Sequence, residues 1–549
     1  MRPRGSNEIP AETAAVVRAA CPKGTRVTRL RDVLGPVFND EAFASWFSAE
    51  GRPGMPPGLL ALVCVLQALE DLTDRQAADA VRTRLDWKYA LGLALDDPGF
   101  DFSVLSEFRD RLAVDDRAEK LLATMLVAAK GAGLVRAGGK ARTDSTHVLA
   151  AIRKINRMEL IGESLRLALE QLAEVAPGWL APRLRPEWED RYVRRIESGR
   201  MPAGDAARSR WAAQTAADGG LLLALVTADV VDGPWLVRLP HVKTLADVWD
   251  QACNLGEDGV WRFRKECLLN GPDKIDSPHD PDARWSKKRS TAWIGYKIHL
   301  TEACDADAPR LITHVATTHA AVCDMAALPD VQAGLEEMAL RPGEHFLDGG
   351  YVTIEAIADA KTMGTDLVGP VTKDNSWQAK AGLGYDRDSF VIDWDHRTAI
   401  CPDGKTSRDW HDARTDHGTG ARIGFDPADC RPCPSRMNCT RDVQARKILI
   451  PPRQLHDIQL GNRHDQHDPA WLRRYDQRAG IEGTISAAVR AHGARRCKYQ
   501  GHDKTRVQHV LIACAMNAAR IADWHERSGQ NAAPRPHSRL KVLFATTAS

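Results

Sequence analysis

Two aspartates are candidates for metal-dependent chemistry because of where they stand in the sequence. Asp348 follows the short apolar run of "HFLDGGYV", which predicts a buried strand, and two glycines come directly after it. Open sheets bind ligands at the carboxyl ends of their strands, so an acid here is a candidate metal ligand. The alternative is an ordinary turn, since Asp followed by Gly is common turn chemistry. Asp144 lies inside "ARTDSTHV", a second predicted strand, and is either neutralised by a cation or exposed on an edge strand.

A third acid, Glu482, lies near the start of a predicted helix. Ile481, Ile485 and Ala488 mark the apolar side of this helix, and Gly493 predicts its end. An acid in the first turn also interacts favourably with the helix dipole, so its position alone does not indicate a function.

Carboxylates on strand, strand and helix are the ligands that two-metal phosphoryl transfer needs. Two Mg²⁺ or Mn²⁺ ions held by oxygen ligands fit this chemistry, whereas His and Cys would favour zinc. The sequence contains no GxxxxGK[ST] loop and no GxGxxG motif after a strand, so no nucleotide-binding motif offers a competing interpretation.

Basic residues are concentrated after Glu482. The cluster comprises Arg490, Arg495, Arg496, Lys498, Lys504 and Arg506. Tyr499 and His492 are interleaved with these cations, which favours contacts with DNA phosphates over a solvated face with ion pairs along the helix. Lys297 and His299 alternate with apolar residues in another predicted strand, so we expect them to line one face of a sheet.

Four of the 12 cysteines form a candidate zinc site. Cys401, Cys430, Cys433 and Cys439 have the spacing C-x28-C-x2-C-x5-C, and four thiolates can complete a tetrahedral zinc site. The alternatives are a cluster of reduced thiols and an iron–sulfur site. Most of the other cysteines are scattered singly, which does not indicate a disulfide framework.

The acidic motifs together resemble those of a known family. "TDSTHV", "LDGGYV" and "YDQRAGIEG" are similar to the three acidic motifs of DDE transposases from bacterial insertion sequences. The third contains the Y-x2-R-x3-E signature of one superfamily of these enzymes, at Tyr475, Arg478 and Glu482. The family's pattern continues with a Lys seven positions after the Glu. Val489 stands there in this chain and Arg490 follows it, so Arg490 is the expected substitute.

The resemblance implies a ribonuclease-H-like mixed-sheet core, in which Asp144, Asp348 and Glu482 are catalytic and hold two Mg²⁺ or Mn²⁺ ions. The expected DNA-binding residues are Tyr475, Arg478, Arg490, Arg495, Arg496 and Lys498. The implied reaction is cleavage of DNA at the element's ends followed by strand transfer into target DNA. The implied partners are terminal inverted repeats, target DNA and further copies of the chain in a dimer or higher oligomer. A nuclease that does not join DNA, and a catalytically silent DNA-binding protein, are the alternatives.

The elements that must position these residues alternate between strand and helix. From residue 138 onward the patterns predict strand, long insertion, strand, strand, helix, strand, helix and strand, which indicates a mixed α/β fold. The first expected region is a helical N-terminal domain at 1–135, which either reads DNA or serves for packing. A core follows at 136–395, with a mostly helical insertion at about 151–280, and then a cysteine-rich insertion at 396–445. The core's C-terminal part with the Glu helix is expected at 446–525, and a polar tail at 526–549.

The N-terminal region contains local signals for helix starts. Pro57 predicts a helix that runs to about Leu72, and Thr73 with Gln76 forms a capping box for the next one. Asp86 and Ser103 are expected to cap two further helices, the second of which would continue through residues 104–133.

Composition excludes several classes of protein. With 43% hydrophobic and 27% charged residues, the chain of 549 residues is a folding globular protein of roughly three or four domains. The net charge of +2 does not by itself indicate a nucleic-acid partner. The sequence has no apolar run long enough for a membrane span and no secretory signal, so we expect a cytoplasmic protein located at the bacterial nucleoid.

Overall fold

The computed structural model describes residues 8–47, 54–269 and 273–529. Its N-terminal region is helical, with a short 3₁₀ helix at Asp40–Trp46. The helices are α1 (Ala11–Ala20), α2 (Arg26–Leu34), α3 (Pro57–Glu70), α4 (Asp74–Thr83), α5 (Leu85–Leu91), α6 (Ser103–Leu112) and α7 (Glu119–Gly131).

The predicted capping box is confirmed, but two other predictions for this region are wrong. The Thr73 and Gln76 side chains each accept a hydrogen bond from the other's backbone N–H at the start of α4. Asp86 and Ser103 are not caps, because both lie inside their helices, after Arg84 and Phe102 respectively.

The expected single helix over residues 104–133 is also wrong. It is interrupted between Leu112 and Glu119, where Asp115 has a φ of 48°. This left-handed backbone conformation is incompatible with a continuing right-handed helix, and Asp adopts it more readily than most residues do.

A helical insertion follows the first strand of the central sheet, β1 (Lys140–Leu149). Ile161, Leu165 and Trp249 are fully buried in a hydrophobic core of its own. Its elements are α8 (Arg157–Val175), α9 (Pro177–Leu180), α10 (Glu187–Tyr192), α11 (Asp205–Ala228), α12 (Gly233–Leu236), α13 (Pro240–Ala252), β2 (Cys253–Leu255) and β3 (Trp261–Phe263), the last two paired as a hairpin.

The central sheet confirms the predicted mixed α/β class. After β1 its elements are β4 (Arg284–Lys288), β5 (Thr291–Ala303), β6 (Ile312–His319), α14 (Asp324–Glu337), β7 (Glu344–Leu347), α15 (Ile354–Thr362) and β8 (Asp366–Val368). The sheet contains one strand more than predicted, because the segment before β5 forms an edge strand, β4, paired with it. β5 is antiparallel to β1 on one side and to β4 and β6 on the other. β7 is parallel to both β1 and β8, so antiparallel strands form one half of the sheet and parallel strands the other.

The cysteine-rich region is a small β-rich module after the sheet. Phe390, Ile423, Phe425 and Ile450 form its core. Its elements are α16 (Trp377–Ala381), β9 (Val391–Asp393), β10 (Thr398–Ile400), β11 (Asp409–Thr415), β12 (Gly418–Gly424), α17 (Pro427–Cys430), α18 (Arg436–Cys439) and β13 (Lys447–Ile450).

The remaining helices return the chain to the sheet. They are α19 (Arg453–Asp465), α20 (Pro469–Tyr475), α21 (Gly480–His492) and α22 (His502–Gly529), with a 3₁₀ turn at Asp476–Ala479 before α21. α21 ends as predicted, because Gly493 takes a left-handed φ of 64°. α22 extends into the expected polar tail, of which residues 530–549 lie outside the described residues.

One hydrophobic core joins the N-terminal helices to the sheet. Leu66 and Trp87 of α3 and α5 belong to the same buried cluster as Tyr296 of β5, Ile485 of α21 and Val510 of α22. The N-terminal region is therefore packed on the sheet through the C-terminal helices. No helix in the described ranges has the length and apolar character needed to cross a membrane.

Candidate catalytic site

Asp144 and Asp348 are neighbours across the parallel pair of β1 and β7. The register pairs Thr143 with Leu347, so Asp144, the next residue of β1, lies beside Asp348, which directly follows β7. Asp348 also begins a turn, in which the Tyr351 N–H donates to the Asp348 carbonyl at 2.9 Å. Asp348 can therefore form a turn and also serve as a metal ligand, because the turn uses its backbone carbonyl and not its carboxylate.

Arg478 connects the third acid to this pair. Its Nη1 lies 3.4 Å from Asp144 Oδ2, and its Nη2 lies 3.3 Å from Glu482 Oε1. Burial opposes the charge of Arg478, but the surrounding acidic groups, Asp348 among them, raise the pKa of its guanidinium. A permanent cation thus lies between two of the predicted catalytic acids.

Asp144 is in an environment that disfavours an isolated negative charge. Burial raises the pKa of its carboxyl group, and the charge of Asp348 adds to this effect. The Ser145 N–H, which donates to Asp144 Oδ1 at 2.7 Å, and the Arg478 guanidinium act in the opposite direction. A carboxylate pair in such a position is stabilised by any additional cation.

A fourth acid, Asp324, lies beside the site and was not singled out from the sequence. It is the first residue of α14, and its Oδ1 accepts hydrogen bonds from Ser145 Oγ and Lys297 Nζ, both at 3.1 Å. Lys288 Nζ lies 3.8 Å from its other oxygen. The only signal in the sequence is an acid at a predicted helix start, which is too common to indicate a site.

Buried aromatic groups support the turn after Asp348. The Tyr351 hydroxyl lies 2.7 Å from His299 Nδ1, and His299 Nε2 lies 2.9 Å from Thr318 Oγ1. Burial lowers the pKa of His299 to about 4, so the imidazole is neutral at physiological pH. Lys297 and His299 contact groups on the same side of the sheet, as their alternation in the sequence predicted.

Tyr475 lies next to Arg478 at the end of α20. Its ring stacks on Trp471, with centroids 5.1 Å apart and planes inclined by 17°. The Arg478 guanidinium carbon lies 5.8 Å from the Tyr475 ring centroid. Trp471, Tyr475 and Arg478 therefore form a continuous row that ends at the acids.

Part of the predicted basic cluster has no acidic partner. Arg490, Arg495 and Arg496 are exposed and form no ion pair with the described residues. The Arg495 guanidinium lies 3.4 Å from Thr146 Oγ1, two residues after Asp144 on β1. These three arginines are available to a polyanion, and Arg495 lies close to Asp144 through its contact with Thr146.

The rest of the cluster is paired with acids of the N-terminal helices. The pairs are Lys498 with Asp71 at 2.5 Å, Lys504 with Asp110 at 2.9 Å and Arg506 with Glu119 at 2.8 Å. These three cations hold the N-terminal region against the sheet in this structure.

The four cysteines of the predicted zinc site lie in one part of the cysteine-rich module. The Lys405 N–H donates to Cys401 Sγ at 3.3 Å, and Cys433 Sγ donates to Asp403 Oδ2 at 3.0 Å. Burial, followed by the nearby thiols of the other three cysteines, raises the pKa of Cys439 to about 11. All four thiols are free of disulfides.

Neither the acids nor the thiols form a closed ligand set in this structure. Among the described residues, no group of three or more His, Cys, Asp or Glu side chains is arranged to hold a metal ion. For the acids the reason is visible, because the Arg478 guanidinium separates Asp144 from Glu482.

Comparison with protein families gives two matches. A model described as a transposase DDE domain matches residues 400–522, which include Tyr475, Arg478 and Glu482 but neither aspartate of the β1–β7 pair. A model described as a transposase domain (DUF772) matches residues 15–111 in the N-terminal helices. No curated protein and no solved structure matches the chain. Both matched regions are transposase domains, and together with the Y-x2-R-x3-E signature at Tyr475, Arg478 and Glu482 they are consistent with a DDE transposase of an insertion sequence.

Proposed function

We propose that this chain is a DDE transposase, which cleaves phosphodiester bonds at the ends of its own DNA element and transfers the freed 3′-hydroxyl groups to target DNA. In this proposal Asp144, Asp348 and Glu482 are the catalytic acids. The observation that supports it most is the placement of Asp144 beside Asp348 across two parallel strands, with Glu482 joined to them through Arg478.

The order of the strands supports a ribonuclease-H-like core. Antiparallel β6, β5 and β1 are followed by parallel β7 and β8. Asp144 lies within β1, Asp348 directly follows β7, and Glu482 lies on α21, which packs against β1. We assign this core to residues 136–395 and 446–525. The helical insertion at 151–280 and the cysteine-rich module at 396–445 are then additions to it, and residues 1–135 form the domain that binds the element's ends.

The donor set suits two hard divalent cations, Mg²⁺ or Mn²⁺, because all three groups are carboxylates. The position of Arg478 supports the fit, since the acids already share one cation. Bound divalent ions would stabilise the charge that develops on the reacting phosphate and lower the pKa of the attacking water. Asp144 and Asp348 hold the ions, Glu482 completes the ligand set, and Arg478 exchanges its carboxylate contacts for a DNA phosphate.

DNA would follow the surface from Tyr475 to the basic cluster. Tyr475 and Arg478 contact phosphates next to the scissile bond, and Arg490, Arg495 and Arg496 contact flanking phosphates. Lys498 joins them only where DNA replaces its ion pair with Asp71. Paired cleavage of two element ends requires more than one active site, so we propose a dimer or higher oligomer on DNA.

The cysteine-rich module is proposed to contain one structural zinc ion, bound by Cys401, Cys430, Cys433 and Cys439. The proximity of the four thiols supports the proposal, because Cys401, Cys430 and Cys433 are all close enough to Cys439 to raise its pKa.

Cleavage of a duplex containing the element's end tests the catalytic proposal. Asp144→Asn or Asp348→Asn should abolish Mg²⁺-dependent cleavage and leave DNA binding nearly intact, because losing a metal ligand removes several kcal/mol of transition-state stabilisation. Asp307→Asn, at an exposed aspartate paired with Arg136, is the matched control and should cleave normally.

Three outcomes distinguish the alternatives. Products joined to target DNA indicate a transposase, and cleavage without joining indicates a nuclease. Binding without any cleavage by the unmodified protein indicates a silent DNA-binding protein. Near-normal turnover by either aspartate variant would contradict the assignment of the acids.

A further inference from the structure

A buried ion cluster lies between the sheet and the helix that carries Glu482. Its centre is Glu302 of β5, whose side chain is 0% exposed. The Glu302 carboxylate accepts hydrogen bonds from Arg142 Nε at 2.7 Å, Thr484 Oγ1 at 2.5 Å and Arg520 Nη1 at 2.9 Å. Arg520 Nη2 also donates to Thr484 Oγ1 at 2.6 Å. The cluster therefore joins β1, β5, α21 and α22 at one point.

The strand register places this cluster next to Asp144 on the same face of the sheet. Arg142 and Glu302 are cross-strand partners, and Arg142 lies two residues before Asp144 on the same face of β1. In α21, Thr484 is buried at 4% exposure, while the Glu482 side chain two residues earlier is 66% exposed. The helix thus turns Thr484 towards the cluster, while the Glu482 carboxylate contacts Arg478 at the surface.

The cluster holds the catalytic segment on both sides. Arg142 Nη1 donates to the Gln477 carbonyl at 2.7 Å, one residue before Arg478, and Thr484 is bound two residues after Glu482. Gly480, between these two points, has no room for a side chain, because a Cβ there would collide with the Arg142 guanidinium. The segment that carries Arg478 and Glu482 is therefore attached to β1 at fixed positions.

Stability alone is a weak explanation for the cluster. Burying two guanidinium groups and one carboxylate has a large desolvation cost, and burial lowers the pKa of Arg520. Well-packed apolar residues of similar size often give equal or greater stability than a buried ion pair. Apolar contacts are not directional, whereas the hydrogen bonds of this cluster set the distance and rotation of α21 relative to the sheet.

We propose that Glu302, Arg142 and Thr484 are positioning residues, which set Glu482 and Arg478 at the distance from Asp144 and Asp348 that the divalent ions require. This inference rests on the proposed function, because it assigns the cluster a role in the metal site proposed above. It predicts that weakening the cluster changes ion binding and the rate of chemistry before it changes DNA affinity.

Thr484→Val in the full-length protein is the main test. The variant keeps the shape of the side chain but removes the hydroxyl that links α21 to Glu302. We expect unchanged DNA affinity, a single-turnover cleavage rate lower by about 10- to 100-fold, and a higher Mg²⁺ concentration for half-maximal rate. Mn²⁺ binding to the free protein, measured by electron paramagnetic resonance, should weaken. Backbone amides of residues 476–492 should exchange hydrogen faster.

Two further variants make the test specific. Thr484→Ser keeps the hydroxyl and should restore both the rate and Mn²⁺ binding. Thr244→Val is the matched control, because Thr244 is also a buried helical threonine but bonds only the Pro240 carbonyl of its own helix. If Thr484→Val does not fold, Arg520→Lys replaces it, since Lys keeps the charge but loses the rigid, planar pair of donors with which Arg520 bonds Glu302 and Thr484.

The failure of this inference can be distinguished from the failure of the proposed function. If the unmodified protein cleaves DNA and Thr484→Val matches it in rate, Mn²⁺ binding and hydrogen exchange, the cluster has no positioning role. An equal loss in Thr484→Ser would also overturn the inference, because the hydroxyl would then be irrelevant. If the unmodified protein does not cleave, the proposed function fails, and Mn²⁺ binding and exchange in the variants still decide whether the cluster positions the acids.

Discussion

Arg478 is the residue whose contacts say most about how the site works. Its guanidinium contacts Asp144 and Glu482, and it also lies near Asp348 and the Tyr475 ring. In this arrangement it neutralises acids that would otherwise repel one another across a partly buried surface. A phosphate that enters beside the acids offers Arg478 an alternative anionic partner, so this residue is expected to act on the reacting group. The exposed arginines farther along the chain have no such link to the acids.

Arg478 and the exposed arginines should therefore differ in kinetic effect. Arg478→Ala should lower the single-turnover cleavage rate at saturating DNA, because it removes a group that orients the scissile phosphate. Arg495→Ala with Arg496→Ala should instead weaken binding to any DNA sequence and flatten the salt dependence by roughly 0.9 per lost phosphate contact. Binding isotherms at several salt concentrations and single-turnover rates provide the measurement. An unchanged salt slope in the double variant would show that these arginines do not contact DNA.

Lys498 provides a control for the effect of removing a cation from the predicted basic cluster. Lys498→Ala removes a cation of the same predicted cluster, but that cation is already paired with Asp71. The added change in salt slope should be smaller than that for either Arg495 or Arg496. This makes Lys498→Ala the matched control for the exposed pair.

At the scale of elements, the cysteine-rich module needs a source of stability of its own, separate from the core of the sheet. Its apolar core is small, and Cys401, Cys430 and Cys439 pack against that core. A small core supplies little stability, and a bound metal is a common way to supplement it. The module lies between Asp348 and Glu482 in the chain, so its fold also limits how the Glu helix returns to the sheet.

Removal of zinc tests this interpretation of the module. Purified protein should contain about one zinc ion per chain, and Cys430→Ser should reduce that content. Because ligation energy contributes directly to folding, chelation should increase hydrogen exchange in residues 396–445 before it affects the sheet. Cys64→Ser, at a buried cysteine of α3, is the control for metal content. Absence of zinc together with four freely reactive thiols would contradict the proposal.

At the scale of the whole molecule, the N-terminal helices and the catalytic sheet are not independent. They share one hydrophobic core, and α22 packs between them. Ion pairs at the edge of this contact differ in burial. The Arg506 side chain is only 15% exposed and also donates to the Ala113 and Asp115 carbonyls, whereas the Lys504–Asp110 pair is largely exposed. The N-terminal helices and the sheet that carries Asp144 are thus mechanically connected through α22.

The two ion pairs should contribute unequally to stability. Lys504→Ala should lower the free energy of unfolding by less than about 1 kcal/mol, as exposed pairs do. Arg506→Ala should lower it by roughly 1–3 kcal/mol, because Glu119 and two backbone carbonyls lose their donor. Burial already raises the pKa of Glu119, which indicates that its charge depends on Arg506. Urea unfolding of both variants provides the comparison, and equal effects would refute the distinction.

Much of the local structure was predictable because it depends on neighbours in the sequence. The capping box at Thr73 and the end of α21 at Gly493 follow from residues within one helical turn. The strands β5 and β7 follow from alternating or continuous apolar residues. The helix break at Asp115 was missed, because the residues around it have no glycine or proline to mark the end.

The sequence by itself determined which residues were candidates: Asp144, Asp348 and Glu482 each stand in a motif with a recognisable spacing. Only the tertiary structure decided which groups surround them. Asp324, Glu302 and the Asp71 partner of Lys498 have no local signature. An ion pair between residues far apart in the chain depends on strand register and helix packing, and neither is encoded in a short motif. Side-chain periodicity acts over a few residues, whereas the electrostatics of a buried site are set by whichever charges the fold brings together.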